Sequence, residues 1–171
     1  MLADLRGLNM NAREAVKLAM DSGNMIGMAY LEDLTEDEMM QRPHPECNHI
    51  KWQVGHLIAS ENQIINGALP GSMPDLPEGF KDRYSKETAN SDDPTAFDSK
   101  EDLLKLYQEQ REAALRRLES LNDEDLSTPG PKDMPYVPTV GSAFELLGCH
   151  WLMHAGQWAV IRRQLGRPPL F

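Results

Sequence analysis

The sequence predicts an all-α protein, an antiparallel four-helix bundle with long loops between the second and third helices and before the fourth. Three observations carry this. Four stretches place apolar residues at helical spacing, helix-capping residues stand at their starts, and no convincing strand pattern interrupts them. With 171 residues and 40% hydrophobic composition, the chain suits one domain, residues 1–171, with a full core of its own.

The first helix opens at Asn11, with Glu14 as its capping partner, and runs from about Ala12 to Tyr30 on a stripe of Leu18, Met25, Ile26 and Met28. Leu34-Thr35-Glu36-Asp37-Glu38-Met39 then reads as a capping box with Leu34 and Met39 as its hydrophobic staple. The short helix it starts stops before Pro43 and Pro45. Asn48 is the expected cap of the second long helix, which reaches about Asn66 before Gly67 and Pro70 end it. Apolar residues such as Ile50, Trp52, Val54, Leu57, Ile58 and Ile65 cover much of its circumference, and only Lys51 and Glu61 are charged. A helix this apolar must be covered on more than one side.

Residues 68–97, rich in Pro, Gly, Asp and Ser, predict a long irregular connection, of a kind that is often functional. Ser99 with Asp102 caps the third helix, whose buried stripe is Leu104, Tyr107, Ala114, Leu118 and Leu121. Its charged run from Glu109 to Glu119 predicts a solvated face. Leu121-Asn122-Asp123-Glu124-Asp125-Leu126 echoes the earlier acidic cap, which indicates either two similar helix pairs or a chance likeness of two short motifs. Pro129, Pro131, Pro135 and Pro138 keep the next loop extended. Thr139 or Ser142 starts the fourth helix, which runs to Leu165 and stops at Gly166.

Composition narrows the function classes. A net charge of -10 argues against nucleic-acid and anionic-membrane partners, which need basic surface. No apolar run approaches the roughly 18 residues that span a bilayer, and Met1-Leu2-Ala3-Asp4-Leu5-Arg6 lacks the pattern of a signal peptide. Cys47 and Cys149 sit in unrelated contexts, which predicts a reducing cytoplasm rather than a disulfide framework.

The chemistry concentrates on the second and fourth helices. His150 and His154 are one turn apart on one helix face, inside a long apolar run. His56, preceded by Gly55, lies in the middle of the second helix. Bundle cores build metal sites from side chains on facing helices, and three neutral imidazoles leave a divalent ion with open positions. The competing reading is three core histidines without metal. Gln157, one turn after His154, is a candidate to orient a ligand or a water, or to make a helix–helix contact. His49 lies two turns before His56 on nearly the same face, about 10.5 Å along the axis, which places it at the pocket mouth as a substrate contact.

His44-Pro45-Glu46-Cys47-Asn48-His49 fits no ligand spacing. Cys149 reads as a small buried residue, Glu61 as a subunit or loop contact, and Arg162 and Arg163 as a solvated C-terminal turn that complements the helix dipole.

Trp52-Gln53-Val54-Gly55-His56-Leu57, with His150-x-x-x-His154-x-Gly156-Gln157 and Ile161 through Pro169, resembles the DinB/YfiT-like superfamily (the damage-inducible DinB family) over essentially the whole chain. The resemblance implies an up-down-down-up four-helix bundle with zinc or nickel on His56, His150 and His154, in a protein that is commonly a homodimer. It also implies thiol-dependent S-transfer or isomerisation with a low-molecular-weight thiol cosubstrate such as bacillithiol or mycothiol, or metal-dependent hydrolysis. Three functions follow: a metal-dependent thiol S-transferase acting on a small molecule, a metal-dependent hydrolase, or a non-catalytic metal-binding dimeric module. Hydrolysis needs a general base, and no carboxylate lies at helical spacing from His150 or His154; Glu46 is the nearest candidate by sequence.

Overall fold

The computed structural model describes residues 10–171; Met1 through Arg6, read above for leader features, lie outside the described residues. The helices are α1 (Ala12–Glu32), α2 (Ile50–Ala68), α3 (Phe80–Arg83), α4 (Lys100–Glu119), α5 (Asp123–Leu126) and α6 (Val140–Gln164). Among the described residues there is no strand, only an isolated bridge between Pro129 and Thr139. No helix there is long and apolar enough to cross a membrane. The four long helices α1, α2, α4 and α6 answer to the four expected from the sequence. α3 and α5 are single turns within the connections.

The caps explain where the helices begin. The Asn11 side chain accepts the Glu14 N–H at 2.9 Å while the Glu14 carboxylate accepts the Asn11 N–H at 3.0 Å. The same reciprocal box joins Asn122 to Asp125 and Thr139 to Ser142, and Ser99 caps α4. Thr35 and Glu38 also bond reciprocally, around a 3₁₀ turn over Glu38–Met40. α2 departs from expectation. Its cap is His49, not Asn48: His49 Nδ1 accepts the Trp52 N–H at 3.0 Å.

α1 lies along α6, and α2 contacts both α4 and α6. The α1–α6 seam is closed by glycines. A Cβ on Gly23 would stand 2.5 Å from the Gly148 carbonyl oxygen, and one on Gly148 would strike the Ala19 carbonyl. The backbones therefore touch here only because both residues lack a side chain. Trp151, one turn further, lies over Gly27 in the same way. At about 100° per residue, Gly148 and His150 point roughly 160° apart, so seating Gly148 on α1 turns His150 away from it, toward α2.

α2 is tied to α4 by an ion pair between Glu61 and Arg111 at 2.8 Å, with both side chains almost fully buried. Glu61 is thus an internal helix–helix contact rather than the subunit or loop contact expected. Arg111 likewise leaves the solvated face predicted for Glu109 to Glu119, because it falls on the stripe of Tyr107, Ala114 and Leu118. Burial pushes the Glu61 carboxyl up, against the pull of the Arg111 charge. The other charge on α2, Lys51, is also buried and pairs with Glu36 at 2.8 Å. Arg162 is a further correction. It is buried, with Nη1 bonded to both Asp33 carboxylate oxygens at 2.9 and 3.0 Å and Nε to the Pro168 carbonyl. Arg163 stays exposed on the last turn.

The glycine seam predicts opposite outcomes for one substitution at two places on α6. Gly148→Ala should cost about 1–3 kcal/mol through overpacking. Gly156→Ala, where nothing lies within 4 Å of the added carbon, should gain about 0.5–1 kcal/mol from helix propensity. Urea denaturation of the two variants against the parent measures both.

Candidate metal centre

His56 on α2 and His150 and His154 on α6 are half-buried, and each offers a ring nitrogen within 4.8 Å of the others. The Nε2 atoms of His150 and His154 are 3.3 Å apart. Two imidazole nitrogens at about 2.0–2.1 Å from a tetrahedral ion stand about 3.3–3.4 Å from each other. The α6 pair already has that separation, and the His56 nitrogen lies within 4.8 Å of both. Among the described residues this is the group of His, Cys, Asp or Glu side chains that could hold a metal ion. The three expected ligand candidates are therefore brought together, and nothing in the donor set conflicts with a divalent ion.

Neighbouring side chains hold the rings. Trp52 stacks on His56 at 5.0 Å with the planes 7° apart, and its indole N–H is itself anchored on the Ser85 carbonyl and the Thr88 hydroxyl. The Ser60 hydroxyl lies 3.5 Å from His56 Nε2. Gly55 is needed beside it because the Tyr84 ring occupies the space a Cβ would take. His154 is anchored from behind: its Nδ1 is 2.9 Å from Gln53 Oε1. Gln53 is buried and bonds three further groups, the Trp158 indole N–H at 2.8 Å, the Asn48 carbonyl at 2.6 Å and Gln157 Oε1 at 3.0 Å.

Gln157, the expected partner of the site, is thus one bond removed from the histidine. Gln53 is the residue sequence reasoning missed. Its signal was a polar side chain inside an apolar helix, one turn from Gly55-His56 on the side facing α6.

His49 is not at the pocket mouth. It has no exposed surface, spends Nδ1 on the α2 cap and packs its ring edge-on against Phe97 at 4.8 Å. Burial and the Arg42 charge push it down to about 4. Cys149 is half-exposed rather than buried, and its thiol donates to Glu145 at 2.7 Å. That bond, with burial and the Glu145 charge, raises the thiol to about 11, so it is no thiolate at neutral pH.

His56 and His150 open on a cavity of ≈ 270 Å³ lined also by Ser60, Gln63, Ile64, Tyr136, Leu146 and Met153. Larger hollows occur along α4, one of ≈ 690 Å³ beside Ser72 and Arg117, but they gather no metal-ligating set, so chemistry rather than size marks this cavity. Burial lowers all three imidazoles. His150 falls to about 4, with the neighbouring His56 adding to the effect, and His154 to about 3, with His150 and His56 adding. The rings are therefore neutral at pH 7, the form that offers a lone pair to a metal.

The metal-free protein should accordingly lose stability on mild acidification. An unfolded histidine takes up its proton near pH 6.5, whereas His150 and His154 do so in the folded state only near 4 and 3. Their contribution is complete above pH 6.5 and is lost as pH falls toward those values. Urea midpoints between pH 7.5 and 5.5 should fall. Replacing His56, His150 and His154 together by Gln should flatten the slope, leaving the smaller part due to buried His49.

A model of the DinB superfamily matches residues 28–158. No curated protein matches the chain. Among solved structures, a conserved protein from Enterococcus faecalis is similar at 15% identity, covering 90% of this chain and 97% of that one with a TM-score of 0.65. At that identity the likeness is one of fold.

Proposed function

Because the chain belongs to the DinB superfamily, we propose that it is a divalent-metal-dependent enzyme of the thiol S-transferase type, with His56, His150 and His154 as ligands and its four long helices in up-down-down-up order. The observation that carries this reading is the 3.3 Å separation of the two Nε2 atoms on α6, with the His56 ring meeting His150 edge-on at 5.3 Å. Three imidazoles suit zinc or nickel and leave positions open to substrate. When bound, such an ion supplies Lewis acidity that favours the deprotonated form of a thiol or polarises an oxygen.

The surrounding residues shape what reaches it. Ile64, Leu146 and Met153 form an apolar wall, and Ser60, Gln63 and Tyr136 add polar but uncharged atoms. Apart from the imidazoles no titratable acid or base with a charge at neutral pH lines the cavity, which suits an uncharged, largely apolar part of a small molecule. The lining also lacks a carboxylate to serve as general base for water. Glu61 is committed to Arg111 and Glu145 to Cys149, while Glu46 is exposed on the loop before α2. This favours transfer of a thiol over hydrolysis.

Elemental analysis of untagged protein should find about one zinc or nickel per chain in the parent and almost none in His56→Ala. Loaded protein should consume a low-molecular-weight thiol in conjugating an uncharged electrophile. Ester or amide turnover without thiol would instead mark a hydrolase. A parent that retains no divalent ion after supplementation would remove the metal enzyme altogether.

A further inference from the structure

We infer that Gln53 is a positioning residue that locks His154 in the tautomer protonated on Nδ1, so that its Nε2 lone pair faces the imidazole cluster; its relevance to metal binding rests on the reading above. Two neighbours of the Gln53 amide can act in one sense only. The Trp158 indole nitrogen is a donor and never an acceptor, so the Gln53 amide atom 2.8 Å from it must be the oxygen. A backbone carbonyl only accepts, so the atom 2.6 Å from the Asn48 oxygen must be the amide nitrogen. These constraints come from opposite ends of the amide and agree, which leaves no freedom to flip it.

The oxygen fixed by Trp158 is also the atom 2.9 Å from His154 Nδ1. An amide oxygen cannot donate, so Nδ1 must carry the hydrogen. A neutral imidazole has one N–H, which leaves Nε2 bare, and Nε2 is the atom that faces His150 Nε2 at 3.3 Å. The second amide hydrogen of Gln53 goes to Gln157 Oε1 at 3.0 Å. Every donor and acceptor of the buried amide is then used, so the lock carries no unpaired polar atom. Outer partners of this kind orient metal-ligating histidines by holding the far ring nitrogen.

The test begins with metal-free protein at pH 8. Long-range ¹H–¹⁵N spectra should show His154 Nδ1 at the shift of a protonated ring nitrogen and Nε2 at that of a bare one. A mixture of tautomers, or the proton on Nε2, would overturn the proposal without any variant being made. Gln53→Leu should let the tautomer relax and weaken zinc binding 10–100-fold in competition with a chromophoric chelator, the helical circular dichroism being retained. Gln53→Glu keeps an accepting oxygen and should keep the Nδ1–H form. Unchanged zinc affinity and tautomer in folded Gln53→Leu would contradict the lock. If that variant does not fold, the parent spectrum alone decides. A parent with the expected tautomer that takes up no zinc defeats the metal reading and upholds the lock; zinc binding with the proton on Nε2 does the reverse.

Discussion

The arrangement of the site depends on two backbones touching. Where Gly23 of α1 meets Gly148 of α6, neither helix has room for a Cβ, and this close approach sets how α6 is turned about its axis. The residues that share the Gly148 face, Phe144, Trp151 and Ala155, are buried. Trp151 packs over Gly27 and against Tyr107 at 4.2 Å between ring centroids. His150 and His154, on the other side, are left facing α2. A rotation of one residue's worth, about 100°, would bring the half-exposed Cys149 and the exposed Met153 round toward α2 in their place. The histidine cluster is thus a consequence of helix packing as much as of histidine spacing.

α2 meets that face with side chains whose polar atoms are already committed. Trp52 gives its indole N–H to the connection after α3 and its ring face to His56, while Gln53 joins the Asn48 carbonyl, Trp158, Gln157 and His154. Further along, the Glu61–Arg111 pair holds α2 to α4. Replacing one member of such a pair leaves a buried charge without a partner, typically costing 3–5 kcal/mol, whereas an apolar pair of similar volume is often no less stable. Glu61 and Arg111 therefore speak for a fixed geometry more than for stability. With the nearby acids committed in this way, the imidazoles are left neutral by burial, beside a cavity that carries little charge of its own.

Helix starts were legible because capping is local chemistry: Asn11, Ser99, Asn122 and Thr139 each bond a residue within the next turn. The histidine cluster was legible because its spacing and the apolar helices around it coincide. What was not legible depends on which face meets which. His49 was placed at the pocket mouth by its distance from His56 along the helix, but as a cap it precedes the helix and is enclosed by the connection carrying Phe97. Cys149 lies on the outer side of α6, and Arg162 is drawn inward by Asp33 on a distant segment. Arg111 and Glu61 each sat visibly on an apolar stripe, and pairing them needed only the further step of facing α2 against α4. Gln53 stood in plain view inside the Trp52–Leu57 motif, yet its role requires Trp158 and His154 from more than a hundred residues away.

The central claim is that these three imidazoles share one metal ion, and zinc K-edge X-ray absorption of zinc-loaded protein tests it most directly. The account predicts three imidazole nitrogens at about 2.0–2.1 Å, the remaining positions being filled by light exchangeable ligands, and a lower imidazole count when any one of His56, His150 and His154 is replaced. A sulfur ligand near 2.3 Å, or an imidazole count untouched by those replacements, would place the zinc elsewhere and contradict it.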